Sequence, residues 1–202
     1  MKLFFGILAS YFLGSIPSAY LVTKGIKGID IRTQGSGNVG ATNVFRVVGR
    51  KWGIAVLIFD MFKGFFSAAI LPLYFSWDSS QRFTFSILCG IASIAGHTWT
   101  VWLKFRGGKG VATSAGVFLG LTPLAAAGTL ISWAFLFAWK RYVSLASLGA
   151  ALIFPLLVFA CYRHTESFGL LFPVSIALTG FIFYTHRKNI ERLRKGTEKR
   201  LI

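Results

Sequence analysis

The sequence predicts an all-α fold: a polytopic integral membrane bundle of seven transmembrane helices, with the N-terminus outside and the C-terminus cytoplasmic. Three observations predict it. Of 202 residues, 54% are hydrophobic and only 14% are charged, with a mean hydropathy of +0.64, too apolar for an ordinary soluble domain. Apolar stretches recur at roughly the 20 residues that a helix needs to cross a hydrocarbon core. The formal net charge is nevertheless +16, from 22 Lys and Arg against 6 Asp and Glu, so the cations must be concentrated in a few connecting segments. A bilayer protein that handles anions fits this balance. A nucleic-acid binder could share the pI near 10.5 but has no use for apolar runs of bilayer length, so no nucleic-acid partner is expected.

The first span is read over residues 3–23. Lys2 followed by LFFGILASYFLGSIPSAY imitates a secretory signal, but the apolar run continues to Val22 and meets a basic segment, which suits an uncleaved helix. The second covers 52–75 and carries Asp60 and Lys63 at i, i+3. Intramembrane charges are costly, and a mutually satisfied structural pair is the simplest account of them. The third covers 83–103. Residues 111–139 are too long for one crossing, and Pro123 divides them into segments at about 111–121 and 124–139. Spans at 142–160 and 168–185 complete the set. Charge selects seven spans over six: segments 24–51, 104–110, 140–141 and 186–202 then share one side, and every basic residue but Lys2, Lys63, Arg82 and Arg163 lies there. Six spans would carry the basic tail across, against the positive-inside rule. A single transmembrane domain is expected over 1–202, and Cys89 and Cys161 are expected as buried small apolar residues.

Three glycine-rich or basic segments fall on the cytoplasmic side: GSGNVGATNVFR (35–46), KFRGGKG (104–110) and HRKNIERLRKGTE (186–198). Gly35, Gly37 and Gly40 satisfy the G-x-G-x-x-G spacing of a dinucleotide-binding turn, but a transmembrane helix and a basic linker precede them, so no βαβ unit is available. The loops instead suit anion cradles. Glycine lets backbone N–H groups converge on a phosphate, and Ser36, Asn38, Thr42 and Asn43 add hydroxyl and amide donors. Arg46 supplies a planar fork, and Lys104, Arg106 and Lys109 supply further charge. GGKG is not a P-loop, because Gly110 follows Lys109 where Ser or Thr is needed. His97 has two readings, a ligand of the site or a hydrogen bond within the bundle. His186 and Asn189 stand at i, i+3 and share a face if the tail begins as a helix.

Six acids without a cluster give no two-metal or acid-rich Mg²⁺ motif, so neither metal nor cofactor is implied. No Ser-His-Asp order or activated cysteine supports a covalent acyl-enzyme. A transporter or channel for a phosphate-bearing anion is the second class of function; it predicts cations at mid-membrane, where only Lys63 lies. A non-catalytic binder of anionic lipid explains the charge but not the clustered Gly, Ser and Asn donors.

The ordered set IDIRTQGSGNVGATNVFRVVGRK, GHTWTVWLKFRGGKGVAT and HRKNIERLRKGTE resembles the three cytoplasmic motifs of the bacterial PlsY-type acyl-phosphate:glycerol-3-phosphate acyltransferases, over almost the whole chain. The resemblance implies transfer of a fatty acyl group from acyl phosphate to the 1-hydroxyl of glycerol 3-phosphate, the first step of phospholipid synthesis, giving lysophosphatidic acid and phosphate. It implies a location in the bacterial inner membrane, a cytoplasmic active site, contact with membrane lipids and no obligate protein partner. The implied catalytic set is Ser36, Arg46, Lys104, His186, Asn189 and Glu198. Gly107, Gly108 and Gly110 match acyl-phosphate contacts, together with Lys104 and Lys109. Substrate binding is expected also from Gly35, Gly37, Asn38, Gly40, Thr42, Asn43, His97 and Arg106. Val39 stands where proline is common, Arg106 where lysine is common, and the proline usual after the His97 position is absent. Ser36, the backbone amides of 35–43 and Lys104 are expected to hold acyl phosphate, and Arg46, Lys109, His186 and Asn189 to orient glycerol 3-phosphate. The acyl tail is expected between Phe- and Leu-rich spans.

Overall fold

The computed structural model describes residues 1–75 and 79–201, and among them it is helical, with no strand. The chain divides into two compact units, Met1–Leu121 and Thr122–Ile202. The first contains α1 (Lys2–Ser15), α2 (Ser18–Lys27), α3 (Ala41–Val47), α4 (Arg50–Phe65), α5 (Leu71–Phe75), α6 (Ser79–Thr98) and α7 (Val111–Leu121). Among the described residues five segments are long and apolar enough to cross a membrane, Lys2–Lys27, Arg50–Phe75, Gln81–Leu103, Val143–Tyr162 and Phe168–Thr185; the expected spans at 111–121 and 124–139 are not among them.

The first span is not the continuous helix read over 3–23. Pro17 has no N–H to donate and drives the preceding residue out of the helical region, so Ile16 sits at φ −55°, ψ 114° and the chain restarts as α2. Carbonyls freed by such a break need donors. Thr100 Oγ1 donates to Ser15 O at 2.6 Å, and Lys63 Nζ donates to Ile16 O at 3.1 Å. Lys63 also pairs with Asp60 Oδ1 at 2.8 Å, and both side chains are almost wholly buried. The intramembrane charges therefore do form a pair, and the lysine bonds the helix break as well. The second span contains a π-helical turn at Phe66–Ile70 between α4 and α5.

Two helix crossings in the first unit are closed by glycines used reciprocally. A methyl on Gly14 of α1 would run into Ser93 O of α6, and one on Gly96 of α6 would run into Tyr11 O of α1. Gly64 of α4 meets Thr113 O of α7 in the same way, and Gly116 of α7 meets Met61 O of α4. Where surrounding lipid is as apolar as the side chains, such close backbone approach is a main source of association.

In the second unit, Pro123 opens α8 (Pro123–Lys140), followed by α9 (Val143–Tyr162), α10 (Phe168–Thr185) and the short polar α11 (Arg187–Arg194). The division of 111–139 at Pro123 is as expected, because proline lacks a helical N–H and is well suited to a first turn. Trp133 Nε1 donates to Ser147 Oγ across α8 and α9, and Thr179 Oγ1 donates to Ala151 O across α10 and α9. Cys89 is buried as expected, but Cys161 is exposed, because it lies on an outer face of α9.

Candidate functional site

The first loop is organised by Asn43, in the first turn of α3. Its Oδ1 accepts from Ser36 N at 2.9 Å, while Nδ2 faces Ile31 O at 3.3 Å, Gln34 O at 2.9 Å and Asn38 O at 3.1 Å. Gly35, at φ +60°, lies directly against that Oδ1, where a side chain would collide. Asn43 is only 1% exposed, so its amide is spent on holding the loop's shape and is not available as the surface donor expected of it. The same holds for two of the expected backbone donors, since Ser36 N serves Asn43 and Gly37 N donates to Gln34 O. Ser36 itself is exposed, and Asn38, Gly40, Thr42 and Arg46 are half-buried.

Both flanks of the loop are braced. Asp30 caps the preceding 3₁₀ turn by accepting from Arg32 N, and its carboxylate takes a forked pair from the Arg32 guanidinium, which holds it below the ordinary carboxylate range. Lys27 Nζ donates to Val47 O at the C-terminal end of α3. Val39 is buried in one apolar cluster with Ile31, Val44 and Leu103.

The second loop turns back on the end of α6. Lys104 and Phe105 both take positive φ, at 54° and 59°, which reverses the chain so that Gly107 N reaches Thr98 O and Gly108 N reaches His97 O. The glycine pair thus satisfies carbonyls that the end of α6 leaves over. Gly108 has no room for a side chain: a methyl there would strike His97 Nε2 and stand 2.8 Å from Val39 O. The first and second loops therefore meet at one end of the first unit, with His97 at the junction. Lys104 and Arg106 are exposed, Lys109 is half-buried and Gly110 buried. Trp99, Trp102 and Phe105 lie exposed beside them at the end of the Gln81–Leu103 segment, as interfacial anchors do.

The third segment belongs to the second unit and begins helically, so His186 and Asn189 share a face as expected. His186 is buried, with Nδ1 2.8 Å from Ile182 O, so in the neutral ring Nδ1 carries the proton and Nε2 the lone pair. Glu198 is the hub of the tail. It accepts from Asn189 Nδ2 at 2.6 Å, Ser144 Oγ at 2.7 Å and Arg192 Nε at 2.6 Å. Burial opposes its ionisation, but the bonds from Arg192, Ser144 and Asn189 outweigh that and hold the carboxyl below its usual range. Its two oxygens are thereby spent on binding the tail to the start of α9, which suits a positioning role rather than contact with a reacting atom. Sequence reasoning missed Ser144, for which a lone serine opening an apolar helix carries no signal. It also missed Arg192, whose i+3 spacing from Asn189 was a usable one. Among the described residues no group of three or more His, Cys, Asp or Glu side chains is arranged to hold a metal ion.

A prediction concerns the first loop. Asn43→Ala would leave buried partners unsatisfied, at about 1–3 kcal/mol for each group so stranded. Its thermal midpoint in detergent should fall well below that of the wild type, and Asn43→Asp should not rescue it, because a second carboxylate oxygen would face the carbonyls of Ile31, Gln34 and Asn38. An unchanged midpoint for Asn43→Ala would show that the loop is not held in this way.

Residues 4–196 match the family model described as glycerol-3-phosphate acyltransferase. Proteins of that name are similar along nearly their full lengths. The one from Geotalea daltonii is 44% identical over 95% of this chain and 94% of its own, and the one from Fusobacterium nucleatum 41% over 99% and 98%. That from Aquifex aeolicus is 43% identical over 99% and 100%. The fold is similar to the crystal structure of PlsY (YgiH), an integral membrane glycerol 3-phosphate acyltransferase, in its glycerol 3-phosphate form. The TM-score is 0.86 at 40% identity, covering 99% of this chain and 96% of that one. The lysophosphatidic acid form gives 0.83 at 40% identity, covering 99% and 95%.

Proposed function

The chain belongs to the glycerol-3-phosphate acyltransferase family of integral membrane enzymes, and from that premise we propose that it moves a fatty acyl group from acyl phosphate to the 1-hydroxyl of glycerol 3-phosphate. The observation that carries the choice of donor is the junction of the first two loops, where Gly108 lies against His97 and the Val39 carbonyl beside exposed Lys104 and Ser36. Glycines and cations brought together in this way suit a phosphate group. One transmembrane domain, seven crossings, an outside N-terminus and a cytoplasmic site in the bacterial inner membrane belong to the same proposal. Charge carries that topology rather than length, since α7 has only 11 residues and rises about 16 Å.

Acyl phosphate is a mixed anhydride, already activated, so the enzyme has mainly to bring two anions together and stabilise the carbonyl oxyanion. Ser36, Lys104 and the Gly107–Gly110 turn hold the donor phosphate, with Asn43 shaping the loop from behind. Arg46, Lys109, His186 and Asn189 orient glycerol 3-phosphate, and Glu198 fixes Asn189. The 1-hydroxyl oxygen attacks the acyl carbon, the tetrahedral oxyanion collapses, and the bond from carbonyl carbon to phosphate oxygen breaks. The departing phosphate accepts the hydroxyl proton, so no protein base is required. The acyl tail lies among Phe- and Leu-rich spans.

The test is phosphate release by purified protein in detergent, with synthetic acyl phosphate and glycerol 3-phosphate. Turnover is expected with acyl phosphate but not with acyl-CoA or acyl carrier protein, and it should survive EDTA. Comparable rates with acyl-CoA would overturn the choice of donor.

Arg46→Lys keeps the charge but loses the fork, at about 1.5–3 kcal/mol, or roughly ten- to more than a hundredfold. The loss should fall on glycerol 3-phosphate, as a higher KM for uniform binding or a lower kcat for a contact made only in the transition state. Ser36→Ala should impair use of acyl phosphate and leave glycerol 3-phosphate binding by calorimetry nearly unchanged. Wild-type kinetics in Arg46→Lys would refute this division of labour.

A further inference from the structure

The buried polar cluster of the first unit extends past the Asp60–Lys63 pair. Asp60 Oδ1 also accepts from Ser18 Oγ at 2.8 Å, and His97 Nδ1 stands 3.6 Å from the same oxygen. One edge of the imidazole therefore faces a fixed carboxylate, and the opposite edge, at Nε2, faces Gly108. The main chain of His97 adds a second tie, since its carbonyl accepts from Gly108 N at 3.1 Å. The carboxylate has little freedom, because Lys63 is itself bonded to Ile16 O at the α1–α2 break and Ser18 opens α2.

We propose that Asp60 and His97 form a buried positioning pair for the second loop: Asp60, held by Lys63 and Ser18, sets the His97 ring, and the Nε2 edge of that ring sets where Gly108 turns beside the Val39 carbonyl. His97 touches the loop and not the reacting atoms, so its effect on the reaction passes through Gly107 and Gly108. Without the ring, the end of α6 and the glycine turn would keep their two backbone hydrogen bonds, but the turn would lose its floor. A loop held only at its ends samples more positions, and a donor that needs one of them binds more weakly. The consequence for catalysis rests on the assignment of this loop to acyl phosphate.

The experiment joins hydrogen exchange with kinetics. In His97→Ala, amide exchange across residues 105–110 should speed up while exchange in α4 and α7 stays as in wild type. The KM for acyl phosphate should rise about tenfold, equivalent to about 1.4 kcal/mol, with the KM for glycerol 3-phosphate within about twofold of wild type. Asp60→Asn alone leaves Lys63 buried without its counter-charge and is prone to misfold, so the informative variant is Asp60→Asn combined with Lys63→Met. It should reproduce both effects, and adding His97→Ala to it should change little further, because coupled residues do not add. Unchanged exchange at 105–110 in His97→Ala, or an equal rise in both KM values, would overturn the positioning pair. Faster exchange confined to 105–110 with unchanged acyl-phosphate KM would uphold the pair and refute the assignment of that loop to the donor.

Discussion

Lys63→Met is expected to be the most destabilising single change in the first unit. It removes the cation from a pair that is almost wholly buried, leaving Asp60 with the Ser18 hydroxyl and His97 and leaving the Ile16 carbonyl without its lysine donor. Breaking one side of a buried ion pair costs about 3–5 kcal/mol, because the remaining charge stays desolvated and uncompensated. Total stabilities run at only about 5–15 kcal/mol. The variant should therefore show a large fall in thermal midpoint in detergent and poor recovery from the membrane. Combining it with Asp60→Asn removes both charges and should restore much of the midpoint. If Lys63→Met melts alongside the wild type, the pair is not what secures the α1–α2 break.

Glu198→Ala is expected to have the largest effect in the second unit. Three donors converge on this carboxylate, one of them the Arg192 guanidinium, and a hydrogen bond to a charged group contributes about 1.5–3 kcal/mol. Its loss should free the tail from the start of α9, release Asn189 and lower kcat by tenfold or more. Limited proteolysis should then cut within 187–200 faster than in wild type. Glu198→Gln keeps an acceptor for Ser144 but adds donors toward Arg192, and should be rescued only in part. The pH dependence has a definite sign. The folded-state carboxyl is held below its ordinary value of 4.5, so its contribution is fully present above that value and is lost as pH falls through the lower folded value. Tail cleavage should therefore be independent of pH between about 6 and 8 and rise only in acid. Tail release on crossing neutral pH would exclude Glu198 as the latch.

Much of this architecture is legible in the residues. Hydrophobic length marks five of the seven expected spans, Pro123 divides 111–139 where two helices are found, and Asp60 and Lys63 announce a pair by their spacing. Pro17 was equally visible, yet the unbroken apolar run masked the interruption, because hydropathy does not register a missing N–H. Asn43 shows a different limit. An asparagine in a glycine-rich loop suits an external anion and the loop's own carbonyls equally well, and only the distances to Ile31, Gln34 and Asn38 separate the two. His97 carried both a bundle reading and a site reading, and what the geometry shows are contacts within the bundle, with Asp60 at one ring edge and Gly108 at the other. Ser144 was beyond reach, since what gives it meaning is Glu198, far along the chain.

The reciprocal glycine crossings bear on how the protein is made. Both join helices that are not neighbours in the chain, α1 with α6 and α4 with α7. On a translating ribosome α1 enters the bilayer with its glycine face against lipid and keeps it there until α6 has been synthesised; α4 waits in the same way for α7. No nascent chain that stops short of Gly116 holds both crossings. Because the second loop lies between α6 and α7, the junction of the two loops forms within the same late window of synthesis that locks the helices around it.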